Sequence, residues 1–327
     1  MKRVIDKLSE WSFKKSSTVV TIGNFDGMHR GHQSIIRKAA AAAKKYGKKT
    51  VVLTFKPHPV ALSGPGRNSF RTLMQPELKY ELMRKLGIDF IVVADFNNRF
   101  SALSPDDFIE KIIAEKLGAF IVVVGMDFRF GYRKEGNIKH LREKGAVSGF
   151  SVETVKMENY GHVKIGSTYI RKLISKGDFK KASHLLGHKY CIMGIVTRGC
   201  GRGRKLEYPT ANVSMPEGVL VPEGVFKVTA VVKGLAYGGV ANIGFNPTFG
   251  ETSAKTFEVH LVGFSKDIYG EEISVFFEKK IRDEKKFTGC FLLKKQIKKD
   301  ICSSELCVRK NGEKEGDKKI RIEKPIQ

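Results

Sequence analysis

The apolar positions of the chain change their period once. In the first half, short apolar runs at Val19–Ile22, Val51–Phe55, Phe90–Ala94, Phe120–Val124 and Ser151–Val155 alternate with helix-like runs. The helix-like runs are Gln33–Lys45, Pro76–Leu86, Pro105–Leu117 and Ile138–Lys144. Ser104-Pro105-Asp106-Asp107 is a strong helix start, with Ser as N-cap, Pro at the first position and acids in the first turn. Strands separated by helices at this spacing predict βαβ units and a parallel sheet. Two short helical segments follow, Tyr169–Lys176 and Phe179–Leu186. From Tyr190 onward the runs shorten and alternate: Cys191–Thr197, Val225–Val232, Gly239–Ile243, Thr256–Val262 and Ile273–Phe277, parted by Gly, Pro and Asn. That spacing predicts a small antiparallel barrel, closed by a helix from Asp283 to about Glu305. The predicted class is α/β, with a boundary at about Gly187: domains 1–186 and 187–306, then a charged tail, 307–327. The tail lacks the apolar content to pack and is expected to be mobile. The two halves show no internal repeat.

Composition narrows this picture only in part. The 327 residues are a two-domain length, and 41% hydrophobic content suffices for globular cores. No stretch approaches the ~20 apolar residues that span a bilayer. Met1–Ser17 mixes charges without an apolar core, unlike a secretory signal, so a cytoplasmic protein with no membrane partner is expected. The five cysteines, Cys191, Cys200, Cys290, Cys302 and Cys307, contain no CxxC pair. Neither a zinc site nor a disulfide framework is indicated, and Cys302 and Cys307 are expected to be the exposed thiols. The net charge of +25 divides into +17 for residues 1–186 (34 Lys/Arg, 17 Asp/Glu) and +8 for 187–327 (25 against 17). Such a surplus attracts polyanions. The lysines are scattered and not interleaved with stacking aromatics, which favours small anionic substrates over a specific nucleic acid.

The chemistry concentrates first in Gly23-Asn24-Phe25-Asp26-Gly27-Met28-His29-Arg30-Gly31-His32, a turn between a predicted strand and a predicted helix. Backbone N–H groups at a helix start bind anions, and glycines let a phosphate approach the backbone. His29 and His32, three apart across a glycine, can both face one point near the helix start. Two donors there would stabilise the charge that builds up in phosphoryl transfer. The Gly-Lys-Ser/Thr of a Walker A loop is absent. The turn resembles the His-x-Gly-His signature of the nucleotidyltransferase superfamily. A later segment, Gly166-Ser167-Thr168-Tyr169-Ile170-Arg171, corresponds to that superfamily's second signature. Ser167 or Thr168 could instead simply cap a helix, and Arg171 could hold ATP phosphates bidentately. Thr54-Phe55-Lys56-Pro57-His58-Pro59 and Asp127-Phe128-Arg129-Phe130-Gly131 resemble loops of flavin-nucleotide synthesising enzymes. The aromatics of the second loop could line a ring pocket or belong to the core.

The second concentration opens the predicted barrel: Gly199-Cys200-Gly201-Arg202-Gly203-Arg204-Lys205, then Tyr208-Pro209-Thr210-Ala211-Asn212. A Gly/Arg-rich turn between strands is a phosphate cradle or an RNA-binding segment. Thr210 and Asn212 add oxygen ligands of the kind Mg²⁺ accepts. Pro-Thr-Ala-Asn resembles the signature of riboflavin kinases. Gly224-Val225-Phe226, Gly239–Gly244, Pro247-Thr248-Phe249, Phe257–Leu261, Asp267–Gly270 and Arg282–Phe287 extend the resemblance in order. Glu258, on an otherwise apolar strand, reads by itself as an outward-facing charge.

Over roughly residues 15–300 the chain resembles the prokaryotic bifunctional riboflavin kinase/FAD synthetases. The resemblance implies a Rossmann-like adenylyltransferase domain that joins FMN to ATP, giving FAD and pyrophosphate. It implies a kinase barrel with a C-terminal helix that phosphorylates riboflavin to FMN. It assigns Glu258 as base, and His29 and His32 as catalytic donors. ATP in the first site would meet Gly23, Asn24, Phe25, Asp26, Gly27, His29, His32, Ser167, Thr168 and Arg171. Flavin there would meet His58, Pro59, Asp127, Phe128 and Arg129. In the kinase, ATP would meet Gly199, Gly201, Gly203, Arg204, Lys205, Thr210 and Asn212, with Mg²⁺ on Thr210 and Asn212. Flavin there would meet Arg282, Glu284 and Phe287. Macromolecular partners are limited to weak self-association. Two departures stand out: Glu207 and Gly166 occupy positions where the family usually has Gly and Ser. The other readings are a nucleotidyltransferase with a non-catalytic barrel, and a basic nucleic-acid-binding protein.

Overall fold

The computed structural model describes residues 3–6, 8, 12–63, 69–156, 159–160, 163–199, 207–245, 255–285 and 287–304. They fall into two compact units, Met1–Ser167 and Thr168–Gln327. The first contains β1 (Arg3–Ile5), β2 (Thr18–Ile22), α1 (Arg30–Tyr46), β3 (Lys49–Lys56), α2 (Pro59–Ser63), α3 (Pro76–Lys85) and β4 (Phe90–Asp95). It continues with α4 (Asn98–Ser101), α5 (Pro105–Asp107), a π-helical Phe108–Lys116, β5 (Ala119–Gly125), α6 (Ile138–Ser148), β6 (Ser151–Val155), β7 (Asn159–Tyr160) and β8 (Val163–Lys164).

Six strands form one sheet in the order β1-β4-β3-β2-β5-β6, and every neighbouring pair is parallel. Parallel strands covered on both faces read as continuous apolar runs, and β2 is buried along its whole length. Its successive side chains serve two cores. Val20 and Ile22 pack with Phe108, Ile109, Ile113 and Leu117 of the π-helical segment and its end. Val19 packs with Ile35, Ala39, Ala42 and Ala43 of α1. The predicted Pro105–Leu117 helix is therefore present as a short α-turn running into a π-helix, with the Leu117 N–H reaching back to the Ile112 carbonyl at 2.9 Å. β1 has no signal in the apolar pattern, because its three residues lie in a charged segment and serve only as a sheet edge. Order reverses between β2 and β5: β3 and β4 continue to one side, β6 to the other. Such a switch point opens a ligand crevice at the carboxyl ends of the strands.

The boundary falls within the first turn of α7 (Ser167–Ser175), which the second unit holds from Thr168 onward, followed by α8 (Phe179–Leu186). β9 (Cys191–Thr197), β10 (Ala211–Val213), β11 (Gly224–Val232), β12 (Leu235–Phe245), β13 (Lys255–Leu261) and β14 (Glu272–Arg282) close into a barrel, β10-β13-β12-β11-β14-β9. Alternate residues of β11 and β13 point inward. Phe226, Phe257 and Phe277 are buried and fill the barrel. Phe179 of α8 stacks on Phe277 at 5.2 Å between ring centroids. α9 (Cys290–Ser303) lies on the outside, where Ile301 and Ile297 join Val225 and Val240 in a satellite core. The helix predicted from Asp283 starts seven residues later. Strand β14 runs through Arg282, and the Glu284 carboxylate then accepts the Phe245 N–H at 3.2 Å. Cys302 is disulfide-bonded, against the expectation of incidental thiols, whereas Cys191 is a buried free thiol. The predicted mobile tail lies outside the described residues.

Candidate functional site

β2 ends at Ile22, and the Gly23 N–H still bonds to the Leu53 carbonyl of β3 at 3.1 Å. The chain then turns sharply. Phe25 and Met28 take left-handed conformations, φ 50° and 45°, and both are buried. Gly27 between them has φ 75°. Non-glycine residues held left-handed store strain and concentrate at functional sites. The Asp26 carboxylate anchors the turn by accepting the Leu73 N–H at 2.7 Å. The Asp26 carbonyl accepts the Ser167 hydroxyl at 3.0 Å. Ser167 thus ties the turn to the start of the later signature segment.

His29 is the N-cap of α1, and its Nδ1 accepts the His32 N–H at 3.3 Å. The two imidazoles stack, 3.5 Å between centroids and 19° between planes. Phe25 meets the edge of His32 at 5.4 Å. Burial, His29 and Lys79 hold the His32 pKa well below its ordinary value, so the ring is neutral at pH 7. Thr21 Oγ1, Asn24 Oδ1 and His32 Nδ1 are buried here without a hydrogen-bond partner among the described residues. Buried polar atoms are normally satisfied. The orphans of the turn and the helix start, Asn24 Oδ1 and His32 Nδ1, therefore mark a place prepared for polar ligand atoms.

Lys79 joins the site without any signal in the sequence, since it is one of many lysines on a helix. It stands on α3, and its ammonium group donates to the Asn24 carbonyl at 3.3 Å and to Thr54 Oγ1 at 3.2 Å. His58 and Pro59 follow β3, with the His58 ring 4.5 Å from that of Phe70. After β5, Asp127 and Arg129 lie in a turn in which Phe128 stacks beside Phe130 at 5.5 Å. Phe130 is buried in the core, and Phe128 is only partly buried against it. The loop's two aromatics therefore divide between the core and its margin. Thr168 and Arg171, one helical turn apart on α7, fall in the second compact unit.

In the barrel, strand register builds a polar row that the sequence does not display. Asn212 of β10 pairs with Glu258 of β13, and Glu258 pairs with Asn242 of β12. Asn212 also pairs with Thr197 of β9. Directly opposed residues share one face, so Thr197, Asn212, Glu258 and Asn242 line one outer strip. Gly199 bears on this strip: a Cβ there would lie 2.1 Å from Asn212 Nδ2. The Asn212 amide thus occupies the space a side chain at 199 would fill. Gly201, Gly203, Arg204 and Lys205, like Pro247–Phe249, lie outside the described residues. Thr210 and Asn212 are half-buried neutral oxygen donors two residues apart, and Asn212 is paired with Glu258. Mg²⁺ needs few protein oxygens when phosphates supply the rest, and this donor set fits it.

Arg282 and Glu284 have structural engagements. Arg282 grips the buried Asp300 of α9, with Nη2 2.8 Å from Oδ2. Its guanidinium lies 5.8 Å from the Phe287 ring centroid. Glu284 rests over Gly244, where a Cβ would collide with its carboxylate at 2.2 Å. Glu207 has φ 67°, which is the physical reason a glycine suits that position. Its carboxylate pairs with Lys294 of α9 at 2.8 Å, and this bond holds its pKa below the usual range.

Comparison with known proteins adds an independent line. A family model described as FAD synthetase matches residues 12–169, and one described as riboflavin kinase matches 186–307. A bifunctional riboflavin kinase/FMN adenylyltransferase from Listeria monocytogenes is 38% identical over 292 residues, covering 89% of this chain and 92% of that one. A Bacillus subtilis protein of the same description is 37% identical, covering 88% and 91%. A crystal structure described as a macrolide-efflux protein from Streptococcus pneumoniae superposes with a TM-score of 0.81 at 31% identity, covering 94% of this chain and 99% of that one. Among the described residues of this chain, no helix is long and apolar enough to cross a membrane.

Proposed function

Because the chain belongs to the family of bifunctional riboflavin kinase/FMN adenylyltransferases, we propose how its two units divide the work. The protein phosphorylates riboflavin to FMN and adenylylates FMN to FAD, with ATP as co-substrate in both reactions. We assign the boundary between the catalytic modules to about residue 187.

The observation that carries the adenylyltransferase assignment is the stacked His29–His32 pair at the start of α1, with His32 neutral. ATP binds with its phosphates at the Gly23–Gly27 turn and α1 N-terminus. Ser167, whose hydroxyl bonds to the Asp26 carbonyl of the turn, engages it at the start of α7. His29 and His32 donate to the α-phosphate, whose charge rises as the FMN phosphate attacks. A neutral His32 suits this, since it keeps one N–H donor without repelling the ring stacked on it. The flavin ring lies towards His58, Pro59, Asp127, Phe128 and Arg129.

In the kinase, the strip supports Glu258 as the base that takes the proton from the ribityl hydroxyl. Asn212 and Asn242 flank it and set its orientation. Thr210 and Asn212 would hold Mg²⁺, which supplies neutralisation of the ATP phosphates when bound. The glycine- and arginine-rich sequence of residues 199–205 is assigned to those phosphates. Arg282, Glu284 and Phe287 shape the flavin end through their contacts with α9 and β12. The positive charge serves anionic small-molecule substrates, in the cytoplasm, without a specific nucleic acid and with at most weak self-association.

The test is incubation with riboflavin, ATP and Mg²⁺, resolving FMN and FAD chromatographically. His29→Ala with His32→Ala should stop FAD formation from FMN while riboflavin phosphorylation persists. Glu258→Gln should do the reverse. Loss of both reactions in a folded variant overturns the division.

A further inference from the structure

Lys79 is a buried cation of the first unit that neither signature accounts for. Its ammonium group reaches the carboxyl ends of two adjacent strands at once, at the Asn24 carbonyl and Thr54 Oγ1. Thr54 is itself fully buried and donates to the same Asn24 carbonyl at 3.4 Å. An ammonium group has three donors. Two are used here, and the third has no protein partner among the described residues. No carboxylate forms an ion pair with it there. The charged or titratable groups facing it are Asp26 in the turn and His32 at the start of α1. On its own helix Tyr80 lies 5.5 Å away by its ring centroid. Burial brings the amine down from 10.5 to about 8, and only Asp26 opposes this. A desolvated cation without a direct counterion is costly. It is rational where a substrate supplies the anion.

Position says which anion. Lys79 comes from α3, over the end of β3, and the Thr54–Pro59 segment that follows β3 is on the flavin side of the proposed site. The ATP phosphates belong to the α1 side of the same turn. We propose that Lys79 binds the phosphomonoester of FMN and holds it for attack on ATP. The inference rests on the adenylyltransferase reading above. In that step an ionised FMN phosphate oxygen forms a bond to the α-phosphorus. The bond from that phosphorus to the α–β bridging oxygen breaks, and its electron pair leaves with pyrophosphate. No proton needs to move. A cation on the entering phosphate lowers its repulsion from the triphosphate while leaving one oxygen free to attack.

The experiment is steady-state FMN adenylylation by the full chain, wild type against Lys79→Met and Lys79→Arg, from pH 6 to pH 9.5. Lys79→Met should raise KM for FMN at least about tenfold while KM for ATP moves much less. In the wild type kcat/KM for FMN should fall as pH rises through about 8, as the amine loses its proton. In Lys79→Arg that alkaline limb should vanish, because a guanidinium stays charged. A KM for ATP close to wild type in the adenylylation assay reports that the first unit is folded, and riboflavin phosphorylation by the second unit should not change. A KM for FMN within twofold of wild type in Lys79→Met, or an alkaline limb unchanged in Lys79→Arg, overturns the proposal. Absence of FMN adenylylation in the wild type would instead sink the reading on which it rests.

Discussion

Asp300→Asn isolates what α9 contributes to the barrel. Asp300 is 3% exposed and accepts four bonds. Arg282 Nε donates to both oxygens at 3.1 Å, Nη2 to Oδ2 at 2.8 Å, and Gln296 Nε2 to Oδ1 at 2.7 Å. Removing the charge leaves a guanidinium that is itself only 15% exposed without its anion. Breaking one side of a buried pair costs about 3–5 kcal/mol, and the asparagine oxygen that remains puts this case at the lower end. In a unit of this size, about 3 kcal/mol lowers Tm by about 6–12 °C. Thermal unfolding followed by calorimetry should therefore show the barrel transition moving down, with the other unit's transition unchanged. A shift under about 2 °C refutes the reasoning. The double variant Arg282→Met with Asp300→Leu should recover most of the lost Tm, since apolar replacements of buried pairs are often neutral. If stability returns and riboflavin phosphorylation does not, Arg282 touches the substrate directly. If both return, its contribution to the flavin end is the placement of α9.

Two further outcomes are expected. Below pH 6.5 the unfolded chain takes up a proton that buried His32 resists, so stability of the first unit should fall with acid by up to about 1.4 kcal/mol per pH unit. That loss sets in as pH drops through 6.5 and ends near the lowered native value; His32→Gln should flatten the profile, as denaturant melts from pH 7 to 5 would reveal. Gly199→Ala should displace the Asn212 amide, because the added carbon would sit 2.1 Å from it. Riboflavin phosphorylation should drop while FMN adenylylation holds, and equal kinase activity would show that Asn212 has no fixed role.

Side-chain periodicity alone carries the alternation of elements. Val19–Ile22 and Phe120–Val124 read as buried parallel strands, and the runs between Cys191 and Phe277 as half-buried ones. The His29–His32 turn is equally plain in the chain, because a local motif keeps its spacing whatever the rest of the chain does. Strand order is not visible there. Parallel neighbours are chosen by packing across long connections, so the switch point between β2 and β5 appears only when the sheet is assembled. Lys79 illustrates the same limit: in sequence it is an ordinary helix lysine, and α3 carries it to Asn24 and Thr54, 55 and 25 residues away. The row Thr197–Asn212–Glu258–Asn242 likewise depends on register between four strands. The helix start expected at Asp283 fails for a related reason, since a strand extension and the Glu284–Phe245 bond outweigh local helix preference. Periodicity writes the elements into the chain. Which charges face one another is set by contacts distant in sequence, and those exist only in the folded molecule.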